Sequence, residues 1–357
     1  MTSAEHTSRS SFRPLLAMGL VTVTMLVLGW GTFFIVILPG EYLMGKAVFG
    51  TGLALTAFTL GARHGFDADH IAAIDNTTRK LLADGERPIT VGHWFALGHS
   101  TVVIVTVALL AAGFNALAEQ LTTERSVLTT FAGVWGVLIS GLFLLFIGIT
   151  NLVSVQGIWG VFRGMRSGQL DEEELERVLR GRGALYRVFG PIARRVDKPW
   201  KMYPIGILFG LGFDTATTIA LFVVGGTAAL AAPWYVVLVL PVLFASGMIL
   251  VDTFDGIIMH RAYAWAFHAP VRKVYYNLTI TVLSVAVAFL VGGVGLTTLV
   301  ANALHAEHGP LGWIANLNLE DLGYFIVIIL VLTWAIAWGY WKIAKVESRY
   351  GNQVSSP

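Results

Sequence analysis

Residues 61–76 read GARHGFDADHIAAIDN, so His64, His70, Asp67, Asp69, Asp75, Arg63 and Asn76 crowd into a single short segment. Neutral imidazole and carboxylate together suit borderline divalent ions such as Ni2+, Co2+ and Zn2+, whereas Mg2+ and Ca2+ favour all-oxygen shells. The chain has no cysteine, so any metal must be held by nitrogen and oxygen donors. On a regular helix His64, Asp67 and His70 form an i, i+3, i+6 stripe that spirals across about 120°, with Asp69 off it. Such a helix cannot aim all four at one ion, and Gly65 predicts a local break, since discontinuous helices commonly build transporter ion sites. The competing reading is an internal salt-bridge network, Arg63 with Asp67 for example, satisfying the buried charges without metal.

The elements that carry these residues are set by composition. Of the 357 residues 55% are hydrophobic and only 13% charged, about half the charged share of a soluble domain. Apolar runs long enough to cross about 30 Å of hydrocarbon recur along the whole chain. They predict an all-α polytopic membrane protein with eight spans: 15–38, 49–78, 89–114, 128–152, 203–230, 233–258, 274–301 and 321–341. The first run is too long for a signal-peptide core and lacks an A-x-A site, so it reads as a retained helix.

Charge placement gives an orientation. With the N-terminus inside, Lys46 and Arg125 alone of the 24 basic residues fall outside, and Arg63 lies within a span; basic residues near span ends tend to stay cytoplasmic. The expected organisation is a cytoplasmic tail (1–14), a first group of four spans (15–158), a cytoplasmic loop (159–202), a second group of four (203–344) and a cytoplasmic tail (345–357). The loop, with its acidic run Asp171 to Glu176, reads as a solvated linker. GFDADHIAAI at 65–74 and GFDTATTIAL at 212–221 are weakly alike and lie on spans of opposite direction, the relation expected of an inverted repeat.

A charge in hydrocarbon costs at least several kcal/mol, so intramembrane ionisable residues usually face a cavity or a partner. The third span adds His93 and His99, the fifth Asp214, the sixth Asp252 and Asp255. Counted from the nearest cytoplasmic basic residue at about 1.5 Å per residue, His64 lies roughly 22 Å deep, Asp214 roughly 20 Å, His99 roughly 18 Å, and His70 and Asp252 roughly 13 Å. These overlapping depths suggest one polar site. His93, beside Trp94, reads as interfacial. Asp252 and Asp255 fit either a metal relay or partners for Arg63 or a polar backbone. His260, His268, His305 and His308 are assigned to loops.

RHGFDADHIAAIDNTTR at 63–79 resembles the second-span motif of the nickel-cobalt transporter family, with its H-x4-D-H core. GHSTVV at 98–103, LGFDTAT at 211–217 and GMILVDTFDG at 247–256 are similar to that family's other motifs, in its order. The resemblance implies eight spans, cytoplasmic termini and high-affinity uptake of Ni2+ or Co2+. It puts His64, Asp69 and His70 at positions needed for transport, and Phe66 at one associated with ion preference. Gly65 stands where the family often has alanine. Thr218 replaces a common glutamate, which puts any acidic role there in doubt.

Other classes fit less well. There is no H-E-x-x-H and no set of H-x-x-H-H boxes for an enzyme. GEYLMGKA at 40–47 has Ala47 where a phosphate loop needs Ser or Thr, and it follows no strand. A sensor, or a permease for Zn2+ or Mn2+, is not excluded by residue chemistry. The expectation is a transporter with no resident cofactor and no nucleic-acid partner, whose cargo is a divalent ion and whose surroundings are the lipid bilayer. Its transport site draws on His64, Asp67, Asp69, His70, His99, Asp214 and Asp252, with Phe66 for selectivity and Arg63, Asp75, Asn76 and Asp255 in support.

Overall fold

Long apolar runs with few breakers form helices because only a helix satisfies its own backbone in lipid. In a computed structural model of the chain, the described residues are 3–44, 47–113, 120–121, 126–166, 196–212, 232–266, 270–306, 308–317 and 319–343, with isolated positions between 218 and 228. In order, the α-helices among the described residues are α1 (Ser3–Thr32), α2 (Thr51–His64), α3 (Ala68–Ala83), α4 (Val91–Ala111), α5 (Val127–Arg166), α6 (Met202–Gly210), α7 (Trp234–Val237), α8 (Val239–Ala266), α9 (Pro270–Ala303), α10 (Gly309–Ala315) and α11 (Leu319–Ile343). The described strands, β1 (Leu43–Met44) and β2 (Ala47–Val48), make a two-residue antiparallel pairing. The protein is an all-α polytopic membrane protein.

Five of the described stretches are long and apolar enough to cross a bilayer: Arg13–Gly40, Pro88–Ala111, Val127–Val153, Trp234–Tyr263 and Thr281–Ala303. The expected span 321–341 lies in α11, whose apolar part is Gly323–Thr333. The expected span 49–78 is divided between α2 and α3. With 14 and 16 residues, these helices are about 21 and 24 Å long, each short of the hydrocarbon thickness. Most of the expected fifth span beyond Gly212 lies outside the described residues, and with it the second half of the suggested repeat.

The chain divides into two compact units. The first comprises residues 1–67, 89–140 and 200–255. Glycines let its helices approach until backbones touch. A Cβ on Gly61 of α2 would stand 1.9 Å from the Phe244 carbonyl oxygen, and one on Gly247 of α8 would stand 2.3 Å from that of Phe58. The crossing of α4 and α6 repeats the device, with Gly98 against Tyr203 O at 2.0 Å and Gly206 against Phe95 O at 2.1 Å. Without a hydrophobic drive between helices in lipid, such close packing is a main source of association. Phe33, Phe49, Leu243, Phe244 and Met248 fill the core around these crossings.

The second unit comprises residues 68–88, 141–199 and 256–357. There α5 lies close to α9, with Gly148 facing the Ala288 side chain and Gly141 facing Leu296 and the Gly292 carbonyl. Against α3 this unit sets polar rather than glycine contacts.

Candidate metal centre

The site begins where α2 ends. The backbone N–H groups of Phe66 and Asp67 donate to Arg63 O (2.9 Å) and His64 O (3.0 Å). These three-residue bonds tighten the last turn before α3 starts at Ala68. The break expected at Gly65 is therefore present, but its cause differs from simple glycine freedom. Gly65 has ordinary right-handed helical angles. What excludes a side chain is closeness to α8: a Cβ there would stand 2.9 Å from the Val251 Cβ and 3.2 Å from Asp252 Oδ1.

The Gly61–Phe244 crossing positions His64, three residues on, and the Gly98–Tyr203 crossing positions its neighbour His99. The two imidazoles meet edge to face with centroids 4.7 Å apart and their Nε2 atoms at 3.1 Å. On its other side His64 Nδ1 lies 2.8 Å from Asp67 Oδ2. A carboxylate only accepts, so this contact places the hydrogen on Nδ1 and leaves the His64 Nε2 lone pair facing His99. His70, in the first turn of α3 in the second unit, is buried as well. Each of the three rings is at most 3% exposed.

That arrangement suits a transition ion. Two ligands about 2.1 Å from a common metal stand about 3.1 Å apart when they subtend roughly 95°, the edge of a square-planar or octahedral shell. An N–H of one ring donating to the nitrogen of the other gives the same separation.

The other expected residues are placed as follows. Asp69 is half-buried in the first turn of α3, where its Oδ1 accepts the His70 backbone N–H at 3.0 Å, a favourable place for an acid at a helix N-terminus. Asp67 is buried and faces the ring of His64 through its Oδ2. Asp252 is fully buried beside Gly65, and Asp255, one turn on, is half-buried. Phe66 is half-buried at the turn and Arg63 is exposed. Asp75 and Asn76 lie deeper along α3 in the second unit, within a separate polar layer. Asp214 lies outside the described residues, as does His268.

Two readings of the sequence need correction. His93 is 4% exposed and its Nδ1 lies 3.0 Å from Thr253 Oγ1 on α8, so it is an internal contact rather than an interfacial residue. His260 lies within α8 rather than in a loop. His305, in a turn with positive φ, and His308, the residue before α10, are outside regular structure as expected. Sequence reasoning also missed Asn151 and Tyr263, each a buried polar side chain on a long apolar helix. An unexplained amide in an apolar run was the available signal for the first.

A family model described as high-affinity nickel-transport protein matches residues 50–339. The chain is 50% identical over 331 residues to a nickel transporter, NicT, of Mycobacterium tuberculosis, covering 92% of this chain and 89% of the relative. It is 44% identical over 303 residues to a high-affinity nickel-transport protein, NixA, of Helicobacter pylori (83% and 90% covered). To a cobalt transport protein, NhlF, of Rhodococcus rhodochrous it is 39% identical over 291 residues (79% and 80%). No solved structure matches.

Proposed function

Because this chain belongs to the high-affinity nickel-transport protein family, we propose that it carries Ni2+, Co2+ or both into the cell by secondary transport across the cytoplasmic membrane. The observation that carries this reading is the buried pair of His64 and His99, whose Nε2 atoms face each other at 3.1 Å. These two imidazoles hold the ion in transit together with His70 of the shared motif, Asp67 orients His64, and Asp69 steadies the start of α3. Asp252, beside the turn, serves the ion's path, and Asp214 is proposed to do so from the fifth span. Phe66, at the break, shapes ion preference.

The metal is cargo and not a resident cofactor. Both termini face the cytoplasm in this reading, as the distribution of basic residues supports. The inside-negative potential supplies about 4.6 kcal/mol for a divalent cation crossing 100 mV, twice the roughly 2.3 kcal/mol per unit charge. Nucleotide hydrolysis is therefore not required, and a proton gradient is the alternative source of drive.

Uptake of radiolabelled nickel and cobalt by cells expressing the protein tests the proposal. His64→Ala and His70→Ala are expected to reduce uptake at least 100-fold with normal membrane levels. Unchanged accumulation in either variant would overturn it.

A further inference from the structure

Beyond His70, α3 carries a second set of buried polar side chains, Asp75, Asn76 and Arg79. Each is tied to a different place in the second unit. Tyr263, near the end of α8, donates its hydroxyl hydrogen to Asp75 Oδ1. Asn151 of α5 donates from Nδ2 to Asn76 Oδ1 at 2.7 Å. Asn76 Nδ2 in turn donates to Ala72 O at 2.9 Å and to Ser284 O of α9 at 3.3 Å. Arg79 Nη1 donates to Thr281 Oγ1 of α9 at 2.8 Å. Three helices thus grip one short helix by directional bonds along the stretch that follows His70.

Apolar side chains of similar volume would hold α3 against its neighbours at least as firmly, since burying charges is costly even when they are paired. What directional bonds add is a fixed rotation and height. That matters because α3 carries His70 in its first turn, five residues before Asp75. A ring about 5 Å from a helix axis moves by about 0.9 Å when the helix turns by 10°, whereas a binding constellation must be held to about 0.5 Å. Rotational slack in α3 would therefore carry His70 out of ligating position while leaving the fold intact.

We propose that Tyr263 and Asn151 are positioning residues for metal transport. Acting through Asp75 and Asn76, they set the rotation of α3 and so hold His70 where the ion needs it. The inference rests on His70 ligating the transported ion, as proposed above.

The test uses Tyr263→Phe, which removes one hydroxyl, and Asn151→Leu, which replaces the amide with an apolar group of similar size. Nickel uptake is measured with membrane abundance, and Co2+ binding is measured on purified protein. The expected result is a 3- to 10-fold rise in KM, with uptake capacity per transporter within twofold. In purified protein already carrying His70→Ala, Tyr263→Phe is expected to weaken Co2+ binding no further. An unchanged KM, a loss of capacity alone, or an added weakening in the His70→Ala background would overturn the inference. Should Asn151→Leu fail to reach the membrane, Tyr263→Phe decides. If His70→Ala itself leaves uptake intact, it is the transport reading that has failed.

Discussion

The His64–His99 site and the Asp75–Arg79 layer both bury polar groups in a membrane protein, and they do so by opposite means. At the first, glycine crossings bring α2 against α8 and α4 against α6, and two ring nitrogens end up facing each other at 3.1 Å. At the second, amide, hydroxyl and guanidinium groups bond to one another across α3, α5, α8 and α9. The first leaves two ring nitrogens at a separation that suits a metal ion. The second uses its donors and acceptors on the protein itself. A carrier needs both kinds of region: one whose bonds exchange with cargo, and one whose bonds persist.

The largest effect expected from breaking this contrast lies at the glycines. Gly61→Val or Gly98→Val would drive a Cβ into a carbonyl oxygen about 2 Å away, which only separation of the helices relieves. Overpacking of this sort typically costs about 1–3 kcal/mol. Membrane abundance and uptake should both fall to background, and normal uptake by either variant would show that the crossings do not position the histidines.

A middle effect is expected at Asp67. Asp67→Asn keeps the shape but removes the carboxylate that holds the His64 hydrogen on Nδ1. Loss of such an orienting partner typically weakens metal affinity by about 10- to 100-fold, and the KM for nickel should rise accordingly with abundance unchanged. A loss of all metal binding in that variant would make Asp67 a ligand instead.

The smallest effect is expected at the exposed pair Lys198–Glu86, 2.5 Å apart. The hydrogen bond to Glu86 holds the Lys198 ammonium above the ordinary lysine range. A raised lysine pKa adds stability that is fully present below the unfolded value and is lost only as pH rises through the folded one, well above the working range. Glu86→Gln should therefore leave uptake and melting temperature unchanged between about pH 6 and 8, as exposed pairs contribute little.

Much of this contrast was legible in the sequence, and the rest was not, for physical reasons. The break at Gly65 follows from the impossibility of aiming His64, Asp67, Asp69 and His70 from one regular helix. His99 could be chosen over His93 because His93 stands near a helix end beside Trp94. The contact of Asp67 with His64 Nδ1 could not be foreseen, because a helical stripe records which residues share a face and not which atom each one touches. The glycines at 61, 98, 206 and 247 gave no signal, since a close crossing is a property of two helices and each sequence run shows only one. Asn151 and Tyr263 escaped for a similar reason: their partners lie 75 and 188 residues away, and no local period reports a contact of that range.

The central claim is that the imidazoles of His64, His70 and His99 take hold of the transported ion. X-ray absorption at the metal edge of the purified protein loaded with Ni2+ or Co2+ tests it most directly. The predicted spectrum shows imidazole scattering from nitrogens about 2.1 Å from the metal, reduced in His99→Ala and in His64→Ala. An all-oxygen shell, or a histidine signal that survives both substitutions unchanged, would contradict it.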